Sequence, residues 1–364
     1  MPCQITLNPT DNRKAVLYFI SDLPSRGEYN FILQKGQPAQ FEPVSIEKES
    51  DNYLITTDVL SFRVPGSRTD MSSAIPGPIM GISRDKINWK GYSVFDSHAG
   101  ALKRLETTLV SEGPVFAAFQ LKYTFTNGSE YSVWIRYVKG HDFIELKEEM
   151  NGFPIEKKIS WNMVWDNFSP THRQAPNHPY GQPKKDEKGF NRYDWEKVDQ
   201  MMLNSHHGIN KETSSDGKIP FALGMYGNWP AEGNVTSTVF WDENKNESIG
   251  IFVKDIAYWN DNQYAIWHDT RDISVKFFYK DNLLKWSYPV ISGKRYTAIS
   301  FYPHEKDIEL MERLESLAQP VRNSDGTTYS VKISQLSYNS FLQNKHSTLD
   351  LNVVKDWCLV YPDT

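Results

Sequence analysis

Apolar side chains recur at every second position through much of the chain. In GPVFAAFQLKYTF, Val115, Ala117, Phe119, Leu121, Tyr123 and Phe125 fall on one face, with Gln120, Lys122 and Thr124 opposite. Period two is the spacing of a half-buried strand. Asn127-Gly128 then predicts a tight turn, and YSVWIRYV places Tyr131, Val133, Ile135 and Tyr137 together on the next strand. Lys139-Gly140-His141-Asp142 turns the chain again into FIELKEEM, so the three strands read as a meander. The same texture marks YLITTDVLSFRV, NVTSTVFWDE, SIGIFVKDIAYW, ISVKFFYK and YTAISFYP, with turns at Asp281-Asn282 and Ser292-Gly293. On the order of a dozen strands at this spacing predict an all-β fold, a large antiparallel β-sandwich. Gly77 and Gly81 in AIPGPIMGI read as turn punctuation.

One segment alternates differently. In HEKDIELMERLESLA, Ile308, Met311, Leu314 and Leu317 recur at helical spacing and Pro320 stops the run, which predicts one short helix. Two organisational regions follow: a sandwich over residues 1–305, and a helix with trailing strands over 306–364. The second is either an extra sandwich edge or the start of a following domain. Inside the first region, residues 165–233 have little periodicity, many prolines and polar residues, and still carry Phe168, Tyr180, Phe190, Tyr193 and Trp195. Disordered segments are poor in aromatics, so this stretch predicts an ordered loop layer on the sheet and a place to look for a site.

Composition adds the aromatic content. Among 364 residues are 11 Trp, 19 Tyr and 19 Phe, which fill cores and also stack on the apolar faces of sugars. A formal net charge of −5 offers no basic surface for nucleic acid, and no apolar run is long enough to span a membrane. Cys3 and Cys358 either bridge or stay as two thiols. The N-terminus lacks a secretory pattern, so the protein is expected to be cytoplasmic, or periplasmic or secreted where a leader was removed. Asn127-Gly-Ser, Asn234-Val-Thr and Asn246-Glu-Ser match the glycosylation pattern only.

The loop layer gathers His172, Arg173, His178, Tyr180 and His206. Cleavage of a uronate polymer by β-elimination needs a His or Tyr base and a cation to neutralise the carboxylate, so these five are the candidate catalytic set. Hydrolysis would instead need paired carboxylates, for which Asp166, Glu232, Asp242 and Asp269 are available without an identifying spacing. Taken singly, each His or Tyr is more readily a group that hydrogen-bonds its own loop. Trp165, Trp229, Trp267 and His268 are the candidate substrate-binding residues; the last two lie in YAIWHDTRDISVKF, where Ile273, Val275, Phe277 and Tyr279 alternate inward. Trp286 reads as core. Adjacent His206-His207 point to opposite faces on a strand, and no His-x-His or His-Glu-x-x-His spacing occurs, so neither metal nor cofactor is expected.

The phrases SEGPVFAAFQLKYTFTNGSEYSVWIRYVKGHDFIELKEEM, ESIGIFVKDIAYW, YAIWHDTRDISVKFFYKDNLLKWSYPV and SGKRYTAISFYPH resemble the N-terminal β-supersandwich of bacterial polysaccharide-degrading enzymes. That galactose-mutarotase-like domain occurs in exo-rhamnogalacturonan lyase-like and heparinase-like groups, coupled to a helical toroid. The resemblance covers roughly residues 55–305 and implies a polysaccharide or oligosaccharide partner, uronate-containing ones included. It also implies a polysaccharide lyase or glycoside hydrolase, or a part of one, with a C-terminal toroid domain absent from this chain. The alternatives are a non-catalytic sugar-binding or structural module, and an epimerase of the mutarotase type, whose His and Glu pairing is not found.

Overall fold

The computed structural model describes residues 2–8, 11–20, 30–35, 40–141, 143–168, 172–175, 184–185, 191–194, 221–223, 237–242, 244–257, 275–280, 283–303, 332–335, 348–350 and 357–360. The chain divides into two units, one of Met1–Val44, Val110–Ala117 and Pro320–Thr364, the other of Ser45–Leu109 and Ala118–Gln319. The first contains two three-stranded sheets. Cys3–Asn8 and Asp11–Phe19 pair with Thr348–Asp350, and Asn30–Lys35 lies between Lys332–Gln335 and Trp357–Val360. Among the described residues, the N-terminal strands pair with strands from residues 332–360. Cys3 carries a free thiol. Gln4 reaches into this unit's interior, donating to the Ser111 hydroxyl at 2.7 Å and accepting from the Phe116 amide at 2.9 Å.

The larger unit is built on two sheets. One runs, edge to edge, through Lys184–Lys185, Asn191–Asp194, His172–Ala175, Ser237–Asp242, Glu247–Ala257, Gly293–Tyr302, Ile144–Asn151, Glu130–Val138, Phe116–Phe125, Leu102–Ser111 and Arg68–Met71. The other runs through Phe221–Leu223, Val275–Lys280, Leu283–Pro289, Ser160–Trp165, Lys90–Phe95, Pro76–Ser83, Ser61–Pro65, Asn52–Thr56 and Ser45–Glu49. Neighbours pair antiparallel, as in Tyr131↔Met150, Glu148↔Arg295 and Trp161↔Tyr288.

The alternation decides which faces meet. Phe119, Leu121, Tyr123, Phe125, Tyr131, Val133, Ile135 and Tyr137 are all buried, as their spacing predicts. Their rings meet rings of the opposite sheet: Tyr123 and Tyr131 lie 5.2 and 5.5 Å from Phe95, Phe119 lies 5.3 Å from Tyr53, and Phe301 lies 6.0 Å from Trp165. Two antiparallel sheets facing each other across an aromatic layer make a β-sandwich. The Asn127-Gly128 turn forms as predicted: Gly128 has φ +85° and the Ser129 amide donates to Asn127 Oδ1 at 3.0 Å.

Four sequence expectations are corrected. Gly77 and Gly81 lie inside the strand Pro76–Ser83, and a Cβ on Gly77 would sit 2.4 Å from Ser93 Oγ. That oxygen bridges the Ile79 backbone, accepting at 3.0 Å and donating at 2.6 Å, so the glycine makes room for a neighbouring strand. YLITTDVLSFRV is two strands, because Thr57 Oγ1 accepts from the Val59 and Leu60 amides at 3.1 and 2.9 Å and turns the chain. Ser292-Gly293 joins strands of different sheets and is not a hairpin turn. The expected loop layer 165–233 contributes short strands to both sheets at His172–Ala175, Lys184–Lys185, Asn191–Asp194 and Phe221–Leu223. The predicted helix of residues 304–318 lies outside the described residues.

Candidate functional site

At one end of the sandwich, connections from both sheets surround a cleft of about 530 Å³. Its walls carry Asp58, Arg84, Asp85, Asn88, Lys245 and Glu247, and Phe301, Tyr302 and Pro303 supply the apolar side. Asp58 sits in the turn that Thr57 fastens. Arg84, Asp85 and Asn88 come from the connection between Pro76–Ser83 and Lys90–Phe95. Lys245 and Glu247 come from the hairpin after Ser237–Asp242.

Local hydrogen bonds hold these groups in place. Asp85 Oδ1 accepts from the amides of Ile87 and Asn88, both at 2.8 Å, and from Ser83 Oγ at 2.9 Å, while Oδ2 accepts from Asn88 Nδ2 at 2.6 Å. These donors favour the ionised form, led by the Asn88 and Ile87 amides, and hold the carboxyl far below the usual aspartate range. Asp58 Oδ1 accepts the Tyr137 hydroxyl at 2.6 Å and the Gly140 amide at 3.4 Å. Burial, with the carboxylate beside it, pushes the Tyr137 phenol well up, so it stays a donor. Glu247 Oε2 pairs with Lys90, which is 8% exposed and comes from the opposite sheet. Arg84 donates to the Asn246 carbonyl at 3.3 Å, and Lys245 donates to the Asn167 carbonyl.

A second polar group lies on the outer face of the eleven-stranded sheet. Glu145 accepts from Arg136 Nε at 2.5 Å, Arg136 Nη2 at 3.0 Å and the Tyr296 hydroxyl at 2.8 Å. Burial alone would raise the Glu145 pKa, but the Arg136 hydrogen bonds and charge outweigh it and the carboxyl titrates below its usual range. Ala298, opposite Glu145 in register, belongs to a buried apolar cluster with Phe143, Val239, Trp241 and Phe252.

The predicted site residues separate into three groups. His172 and Arg173 lie on the strand His172–Ala175, in register with Trp241 and Phe240 on one side and with Asp194 and Tyr193 on the other. His172 thus stands beside the strand that supplies Trp241 to the outer cluster. Trp165 is a correction: it is fully buried between the sheets, 4.9 Å from Trp286 and 6.0 Å from Phe301, and no face of it is open to a ligand. It stands at the end of its strand, where a loop follows, but alternation with Trp161 and Met163 turns it inward. His178, Tyr180, His206, Trp229, Trp267 and His268 lie outside the described residues. Trp286 is buried in the core, as expected.

Sequence reasoning missed the cleft residues because no local phrase joins positions near 58, 85, 247 and 301. One signal was available: Asp85-Lys-Ile-Asn88 is an Asp-led turn, whose side chain gathers the amides that follow it. Among the described residues no cluster of three or more His, Cys, Asp or Glu is arranged to hold a metal ion. No described helix is long and apolar enough to cross a membrane.

No family model and no curated protein sequence matches the chain. Similar solved structures include an α-mannosidase from Enterococcus faecalis V583, at 7% identity and a TM-score of 0.43, over 80% of this chain and 34% of that one. A galactose 1-epimerase from Lactobacillus acidophilus NCFM gives 9% and 0.34, over 72% of this chain and 99% of that one. A TPR-domain containing protein from Parabacteroides distasonis ATCC 8503 gives 7% and 0.39, over 76% and 54%. The chain spans about a third of the mannosidase and about half of the TPR-domain protein. Identities and scores this low assign neither family nor activity; the sandwich rests on its own strand pairings and facing rings.

Proposed function

We propose that this protein is a carbohydrate-handling β-sandwich that receives a glycan in the end cleft. The observation that carries the reading is the pairing of fixed carboxylates with an apolar wall in one cavity. Sugars present hydroxyl donors at their edges and C–H groups on their faces, and a site for them combines oriented acceptors with apolar surface. Asp58 and Glu247 are each held by a group from the opposite sheet, so the acceptors are oriented before any ligand arrives.

Binding is the part of the reading the cleft supports best. A glycosidic general acid needs a carboxyl with a raised pKa, whereas Asp85 is driven the other way. Cleavage, by elimination or hydrolysis, belongs to the proposal through His172 and Arg173, whose strand lies at the far side of the eleven-stranded sheet next to Ser237–Asp242. The kinship with galactose-mutarotase-like supersandwiches of polysaccharide-degrading enzymes belongs to it as well, supported by two large antiparallel sheets with an aromatic interior.

The test is calorimetric titration of the full chain with a panel of neutral and uronate-containing oligosaccharides, run beside assays for unsaturated products and for new reducing ends. Binding without either product fits a recognition module, and binding with one product fits a catalytic one. A panel that gives neither heat nor product removes the carbohydrate reading.

A further inference from the structure

The outer faces of the two large sheets differ. That of the eleven-stranded sheet is sealed around Ala298, Val239, Trp241 and Phe252, each fully buried. That of the nine-stranded sheet is open. Alternate residues of Ser160–Trp165 and Leu283–Pro289 are half-buried on it, and Tyr92 of Lys90–Phe95 is 42% exposed. The solvent face of an antiparallel sheet ordinarily carries polar side chains. Here Met80, Tyr92 and Val164 stand side by side in register, with Val94 next along the strand. Gly91 places the ring. Lys90 and Tyr92 would share a face of a regular strand, but Gly91, at φ +69°, breaks the alternation, so Lys90 turns to Glu247 of the opposite sheet and Tyr92 turns outward.

Polar groups rim this strip. Lys285 follows Val164 in register, and Asn162 stands opposite Val94. Partial burial, with the Asp166 charge beside it, pushes the Tyr92 phenol up and keeps it protonated. The apolar part is one exposed ring with three half-buried side chains, whereas a standard protein interface takes about 20–30 residues a side. A pyranose matches it better: the C–H face of the sugar stacks on one aromatic ring while its edge hydroxyls reach flanking donors and acceptors. We infer that Tyr92 is the stacking platform of a second glycan-contact surface, on the outer face of the nine-stranded sheet, with Asp166, Asn162 and Lys285 at the sugar hydroxyls. None of these residues lines the end cleft. The inference rests on the reading of the protein as carbohydrate-handling.

The experiment is calorimetric titration of the full chain, and of its Tyr92→Ala and Tyr92→Phe variants, with oligosaccharides of mannan, galactan and polygalacturonate. For an oligosaccharide that binds the parent, Tyr92→Ala removes one binding event or weakens it roughly ten-fold, the loss of one stacked ring. Tyr92→Phe, which keeps the ring, restores most of it. Asp58→Asn, in the cleft, leaves the Tyr92-dependent event in place. Tyr92 is exposed, so its variants are expected to fold, as circular dichroism checks; shifts of the Tyr92 ring-proton signals on titration of the parent need no variant. An oligosaccharide that binds the parent and Tyr92→Ala equally, without moving those signals, overturns the inference and leaves the carbohydrate reading standing. Binding by no member of the panel overturns both.

Discussion

Glu148 and Arg295 face each other on adjacent strands and form a two-point ion pair inside the sandwich, at 2.6 Å to Nε and 2.5 Å to Nη2. Both are almost wholly buried. The remaining capacity is used: Glu148 also accepts from Tyr131 at 2.9 Å, from Thr297 at 3.3 Å and from Trp161 of the opposite sheet at 3.1 Å, while Arg295 Nη1 donates to the Pro289 carbonyl at 2.8 Å. Burial alone would lower the Arg295 pKa; the Glu148 charge and hydrogen bonds outweigh it and raise it. Trp161 in turn stacks on Tyr288 at 3.7 Å. One carboxylate thus ties the two sheets together.

Removing one partner of such a pair leaves the other charge buried and alone. Glu148→Ala is therefore expected to destabilise the protein by about 3–5 kcal/mol, whereas the double replacement Glu148→Leu with Arg295→Met costs less, because it leaves no lone buried charge although Tyr131, Thr297 and Trp161 lose their acceptor in both variants. Urea unfolding of the single and double variants checks this. A double variant as unstable as the single one would contradict it.

A second expectation concerns Gly91, which has φ +69° where a Cβ would lie 2.8 Å from Met163 Cε and 3.1 Å from the Trp165 ring. Gly91→Ala combines backbone strain with overpacking and should cost about 2–4 kcal/mol, read as a lower urea midpoint at unchanged slope.

These residues also show how far the sequence could be read. The meander from Phe116 to Asn151 was legible because period-two alternation and Gly128 act locally, and burial of one face follows directly. Trp165 ends its strand beside a loop, but its parity with Trp161 turns it into the core rather than toward a ligand. The Thr57 turn was overlooked inside an apolar run, and with it Asp58. The cleft was illegible because loop registers from two sheets assemble it. Those registers depend on which strands become neighbours, a long-range choice that alternation alone does not fix.

Trp165 gives a third expectation. As a core residue it contributes packing and no ligand contact, so Trp165→Phe should lower stability by about 1–3 kcal/mol. Affinity for any bound oligosaccharide, measured on the folded fraction, stays unchanged. A large loss of affinity at full folding would return Trp165 to the site.

Acid sensitivity follows from Asp85. Its folded pKa is depressed, so the stabilisation it gives its loop is fully present above the unfolded value of about 3.9 and is lost as pH falls below it. Asp85→Ala should be less stable than the parent near neutral pH. The gap should narrow steadily as pH falls from about 5 and still be narrowing at about pH 2, and thermal melts across that range read it. A gap that widens on acidification would have the wrong sign for this carboxylate.

The most direct test of the glycan cleft is hydrogen–deuterium exchange of the full chain with and without a saturating oligosaccharide. The account predicts protection of segments 57–60, 84–89, 244–247 and 301–303, which surround the cavity. Protection confined to the strand His172–Ala175 and its neighbours, with those four segments unchanged, would contradict it.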